Sequence, residues 1–147
     1  MKTLSKIIAT TLVIGTAGIA FAKDGVQDPT VKARMDLMGT IAMNTKVLGD
    51  MAGGKADFDA TAAAAAKAAL MAAAADIPVK FEPEVDDPVS EARPDIWMNW
   101  EGFAEDAGDL AAAAGAIDVA SLDGIKAGMG AIGGSCKGCH TDFRAKK

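Results

Sequence analysis

From residue 38 to residue 52 the core-facing positions are Met38, Ile41, Thr45, Leu48 and Ala52. Their steps of three, four, three and four draw one stripe along a helix, not the alternation of a strand. A first helix is therefore expected over residues 30–52, ended by Gly53-Gly54. A second is expected over residues 57–75, where alanine tracts give high helix propensity and Phe58, Leu70 and Met71 supply larger side chains. A third should start near Pro94, which suits a first turn. Its stripe is Ile96/Trp97, Trp100, Phe103/Ala104, Ala107, Leu110/Ala111 and Ala114, and Gly115 closes it. A fourth follows Ser121, a good N-cap. There Leu122, Ile125, Met129, Ile132, Cys136, Cys139 and Phe143 repeat the three-four spacing to the end.

Four helices with one apolar stripe each predict an all-α fold, an antiparallel four-helix bundle. Pro78, Pro83, Pro88 and Pro94 punctuate residues 77–94. This stretch is expected to be non-helical, a crossover between the second and third helices. Within it, Asp86 and Asp87 read as solvated turn residues, and Trp97, Trp100 and Phe103 beyond it as core. Gly128, Gly130, Gly133 and Gly134 weaken the last helix, which suggests a bulky group close to its backbone.

Composition agrees. Of 147 residues, 32 are Ala, aromatics are 5% and Tyr is absent, which argues against an all-β fold. Residues 1–22 carry Lys2 and Lys6, an apolar run from Ile7 to Phe21, and the small-x-small pattern Ala20-Phe21-Ala22. They read as a secretory signal peptide, leaving 23–147 as the mature domain. That domain has 13 basic and 20 acidic residues, a net charge near −7. The acidic balance argues against nucleic acid. No membrane span is expected in the mature chain.

The chemistry lies in Cys136-Lys137-Gly138-Cys139-His140. Cys-x-x-Cys-His is the attachment signature of c-type haem. Two thiols three positions apart on a helix can each add to one vinyl group of a single porphyrin. His140, one turn beyond Cys136, can then reach the iron axially. A zinc site would have at most three ligands here. A thiol–disulfide redox pair would ordinarily sit in a βαβ setting, which is absent.

With an export signal, four helices and this motif near its end, the chain resembles class II cytochromes c. These are the cytochromes c′ and their low-spin relatives of the cytochrome c-556 type. The resemblance is carried by Ala33-Arg34 through Leu48-Gly49-Asp50-Met51, by Ala92-Arg93-Pro94-Asp95-Ile96-Trp97, and by residues 132–140 with Phe143-Arg144. It implies one covalent haem c between the helices near one end of the bundle, with His140 as proximal iron ligand. It further implies Arg34 as a partner of a haem propionate and Arg144 as a cation beside the proximal imidazole.

The family divides on the sixth coordination position, which lies four residues after the first-helix arginine. Here that position is Met38, and Leu37-Met38, Met43-Asn44 and Val47-Leu48-Gly49 are similar to the low-spin type. Met35, one turn earlier, is a competing thioether. A methionine ligand raises the potential and suits electron transfer. The expectation is a periplasmic single-electron carrier, not an enzyme. Its redox partner proteins would present a basic docking face, and the chain would be a monomer or a homodimer. The alternative is a five-coordinate, cytochrome c′-type haem that binds NO or CO, with Met38 only shielding the iron.

Overall fold

The computed structural model describes residues 25–146; the expected signal peptide lies outside them. Five helices follow in order: α1 Pro29–Ala52, α2 Ala60–Phe81, α3 Asp95–Met98, α4 Trp100–Ala116 and α5 Leu122–Phe143. The long helices form a ring in which α1 packs on α2 and α5, and α4 packs on α2 and α5. This is the expected antiparallel four-helix bundle.

Local chemistry sets the helix starts. Asp28 caps α1 by accepting from the N–H groups of Thr30 and Val31, ahead of Pro29 in the first turn. Asp59 caps α2 and Ser121 caps α5 in the same way. At the end of α1, Gly54 takes a left-handed φ of 70°, open to glycine without strain.

Two boundaries differ from expectation. The second helix does not stop before Pro78 but runs through it to Phe81. A proline inside a helix costs about 3 kcal/mol. Here Ile77 and Phe81 are buried on either side of it, and side chains take up the exposed end of the helix. Arg34 Nε donates to the Lys80 carbonyl at 3.1 Å, and Trp97 Nε1 to that of Phe81 at 2.8 Å. Free carbonyls at a helix end need such partners. The expected third helix is broken at Asn99, where φ −129° and ψ 58° leave the helical region. The Asn99 side chain then accepts from the Gly102 N–H, so the break restarts the helix as α4.

The connection over residues 82–94 joins adjacent helices and lies over one end of the bundle. Asp87 is not a solvated turn residue, as expected, but 5% exposed. Its carboxylate accepts from the N–H groups of Gln27 (2.8 Å), Asp28 (2.9 Å) and Val89 (3.0 Å). These donors pull its pKa below the usual carboxylate range, Asp28 contributing most, then Val89 and Gln27. The far end of the connection pairs with the tail of α5 through an antiparallel bridge between Ala92 and Arg144. There Arg93 N–H donates to the Phe143 carbonyl at 3.0 Å and Ala145 N–H to that of Glu91 at 2.8 Å.

By length and composition α2 alone, among the described helices, could cross a membrane. In the bundle it buries Ala63, Ala66, Leu70, Ala73, Ala74, Ile77 and Phe81, and its Lys67 donates to the Ile117 carbonyl. Trp97 and Trp100 pack against the core and Phe103 is buried in it, whereas Phe58 precedes α2 and is exposed. Phe103 touches Phe81, Trp100 and Phe143 at ring separations of 5.2, 5.6 and 5.3 Å.

Among the glycines of α5, Gly128 is accounted for by a neighbouring side chain. A Cβ on Gly128 would lie 2.5 Å from Ile117 Cγ1, so this glycine admits the α4–α5 loop. Gly130, Gly133 and Gly134 have open space where a Cβ would stand.

Candidate haem site

The apolar stripes close on one another at one end of the bundle and part at the other. Between the parted helices lies a cavity of about 820 Å³. That is within the range of roughly 300–1,000 Å³ seen for small-molecule and cofactor sites. α1 contributes Arg34, Met35, Met38 and Thr45 to its walls, and α2 contributes Ile77 and Phe81. Phe103 and Asp106 come from α4. From α5 come Met129, Cys136, Cys139, His140 and Phe143, and Arg144 follows. All six sequence-predicted site residues therefore line a single space.

Cys136 and Cys139 are half-buried and joined by no disulfide. One helical turn holds both thiols and the His140 imidazole on the cavity side of α5. Burial raises the Cys136 thiol pKa. The Cys139 thiol is pushed up to about 12 by burial, then by the charge of Asp106, by Cys136 and by Asp142. The imidazole of His140 is held below its ordinary pKa by surrounding protein and then by the positive charge of Arg144. A neutral imidazole is the form that binds a metal. Asp106 shifts the other way. Burial raises its pKa, and Asp142, Asp109 and Glu105 add to the rise in that order.

Arg34 is 3% exposed. Besides Lys80, its guanidinium donates to the carbonyls of Val85 at 3.2 Å and of Pro83. Its Cζ also lies 5.1 Å from the Phe81 ring and 5.2 Å from that of Trp97. Two of its five N–H donors thus hold the connection over residues 82–94 and a third the end of α2, and a propionate would have to meet the others. Burial lowers its pKa and Asp28 raises it, burial being the larger effect.

Arg144 caps the end of α5. Its Nε and one terminal nitrogen donate to Glu91 Oε2 at 2.8 and 2.6 Å. Glu91, His140 and Arg144 also line a second, smaller cavity.

The residues present fit a covalently held porphyrin. The walls are mainly apolar, two thiols and an imidazole stand on one of them, and thioethers stand on another. The Thr45 hydroxyl on α1 is buried without a hydrogen-bond partner. The zinc alternative fares worse. Among the described residues, no group of three or more His, Cys, Asp or Glu side chains is arranged to hold a metal ion.

Sequence reasoning missed Thr45, Glu91, Asp106 and Met129 as wall residues. Thr45 and Met129 were visible only as members of their stripes. Glu91 and Asp106 reach the site through tertiary pairing, which no local pattern signals.

A helical bundle that turns Cys-x-x-Cys-His toward a cofactor-sized cavity is a c-type cytochrome of the bundle class. Comparison with known proteins sharpens this. The chain belongs to the cytochrome c′ family, whose model matches residues 29–144. Its cofactor is one covalently attached haem c. The chain is 37% identical to a cytochrome c′ of Rubrivivax gelatinosus over 122 residues, covering 79% of this chain and 94% of that one. It is 34% identical to a cytochrome c-556 of Agrobacterium tumefaciens, covering 80% and 96%. The solved structure of the Rubrivivax gelatinosus cytochrome c′ superposes with a TM-score of 0.70 at 34% identity, covering 78% and 94%.

Proposed function

We propose that this cytochrome is a periplasmic electron carrier whose haem iron is held by His140 on α5 and Met38 on α1. The observation that carries the proposal is that these two side chains, from different helices, line one cavity. In this reading Cys136 and Cys139 form the thioethers that anchor the porphyrin. When bound, the haem supplies a one-electron couple. Met38 would supply the second protein ligand to the iron, and a thioether ligand favours ferrous iron. The chain catalyses no reaction of its own. Export rests on the pattern of residues 1–22, which would leave 23–147 as the mature protein. Its partners are redox proteins, steered to an acidic carrier by basic faces.

One observation favours the second reading, a five-coordinate haem that binds small gases. Met35 on α1 and Met129 on α5 also line the cavity, so a thioether at its wall is not by itself an iron ligand. Optical spectra of the holoprotein separate the two. The proposal expects a low-spin ferric spectrum with the methionine–iron charge-transfer band and no response of the ferrous form to CO. Met38→Ala should turn that spectrum high-spin and make it CO-sensitive. A wild-type protein that is high-spin and binds CO, or a Met38→Ala spectrum identical to wild type, overturns the ligand assignment.

A further inference from the structure

Two charged side chains meet beside His140 without being part of the porphyrin's attachment. Glu91 leaves the connection over residues 82–94, and Arg144 ends α5. Both N–H···O contacts of the pair fall on the same Glu91 oxygen, at 2.8 and 2.6 Å. The backbone around them is fixed independently of the side chains by the Ala92–Arg144 bridge and the bonds of Arg93 N–H and Ala145 N–H. Arg93 adds a further bond, from its guanidinium to the Asp142 carbonyl at 2.7 Å. The pair is therefore docked on a rigid frame, unlike a surface ion pair between two flexible side chains. Glu91 is the more buried member, its side chain 21% exposed against 53% for Arg144. Glu91, Arg144 and His140 all line both cavities.

We propose that Glu91 is a positioning residue for the redox centre: it holds the Arg144 guanidinium behind His140 and cancels its charge there. The proposal rests on His140 being the proximal ligand, and it holds whether or not Met38 completes the coordination.

The physical reason is the charge change at the iron. Ferric iron carries one more positive charge than ferrous iron. A lone cation behind the imidazole therefore favours the ferrous state, whereas a neutralised ion pair acts nearly as a dipole, with a much weaker field at that distance. Arg144 alone would raise the potential, and Glu91 brings it back.

The test is a redox titration of the holoprotein and two variants. Glu91→Gln keeps the shape and removes the negative charge. It should raise the potential, increasing the ferrous-to-ferric ratio at fixed poise by about fivefold at moderate ionic strength. Arg144→Gln should lower the potential. Opposite signs support a charge mechanism. A change of less than twofold in both variants, with haem still bound, makes the pair a structural latch and overturns the proposal, even if the melting temperature falls. Shifts of the same sign also overturn it, because they report a loosened site instead of a changed charge. If Glu91→Gln yields no folded holoprotein, the sign of the Arg144→Gln shift decides alone. A covalent haem whose iron does not bind His140, seen as an unchanged spectrum in His140→Ala, would defeat the underlying site assignment instead.

Discussion

At one end of the bundle Leu48, Ala63, Leu70, Ala114 and Ile125 are each 0% exposed. At the other end the same helices carry Met38, Phe103, Cys136 and Cys139 around a cavity of about 820 Å³. The stripe along α5 has the same three-four spacing throughout. Yet Ile125 and Ile132 are buried, while Cys136 and Cys139 remain half-buried. The difference lies in what faces the stripe. At the closed end α5 packs on α4, and the core there includes Ala114 of α4 and Ala63 and Ala66 of α2, small side chains that let packed helices approach closely. At the open end the facing positions leave a space that protein does not fill. The closed end is held by apolar contact, about 25 cal/mol for each Å² removed from water. The open end is held by polar clamps: Arg34 and Trp97 on the end of α2, Asp87 on the start of α1, and residues 91–93 on the tail of α5.

The strongest way to break this comparison is to remove the two thiols proposed to anchor the cofactor at the open end. Cys136→Ser combined with Cys139→Ser should abolish the haem-stained band on a denaturing gel completely. A band that survives would mean that the thiols on this wall do not hold the porphyrin. The second test attacks the closed end. Leu70→Ala leaves a cavity among fully buried neighbours and should cost about 3 kcal/mol in a denaturant titration. The optical spectrum should stay that of the wild type. A spectrum altered by Leu70→Ala would show that the two ends are not separable.

The closed end was legible in the sequence because it depends on periodicity. The stripes that predict helices also predict which face is buried, and Leu48, Ile125 and Ile132 sit where the spacing puts them. The motif at Cys136, Cys139 and His140 was legible for the same reason, since its geometry is local to one turn of α5. The open end was less so. Pro78 argued for a helix end, but the carbonyls beyond it are satisfied by Arg34 and Trp97, distant residues whose contact no local pattern encodes. The same holds for Asp87, whose hydrogen-bond partners Gln27 and Asp28 lie about 60 residues away. Among the glycines of α5, only the fold shows that Gly128 faces Ile117.

Arg34 sharpens the contrast between apolar and polar closure. Arg34→Met keeps most of the stem and its packing on Phe81 and Trp97 but removes the donors. The carbonyls of Lys80, Pro83 and Val85 then lose their partner. Groups left without a hydrogen bond cost about 1–3 kcal/mol, and partial access to water limits the loss here to about 2 kcal/mol. The expected result is a less stable protein whose protection from amide hydrogen exchange falls at Phe81 and along residues 82–90, not at Leu48 or Leu70. Uniform loss of protection across the bundle would show that Arg34 supports the whole core, not the open end alone.

The smallest effect concerns acid. The folded-state pKa of Asp87 is depressed, because its carboxylate accepts from backbone N–H groups that it meets only in the fold. A depressed carboxylate pKa stabilises the fold above the unfolded value, about 3.9, and the contribution disappears as pH falls through the lower folded value. Asp87→Asn should therefore be less stable than wild type at pH 7, and the gap should narrow as the pH is taken below about 4. Thermal melts of the two proteins at pH 7, 5, 4 and 3 would trace it. The Asn side chain still offers one acceptor, so the gap at pH 7 reports the charge on the acceptor, not the loss of every bond. A gap that stays constant from pH 7 to pH 3 would mean that the carboxylate's charge has no part in tying the start of α1 to the connection. The open end would then be clamped by the Arg34 guanidinium, by neutral hydrogen bonds and by the Glu91–Arg144 pair.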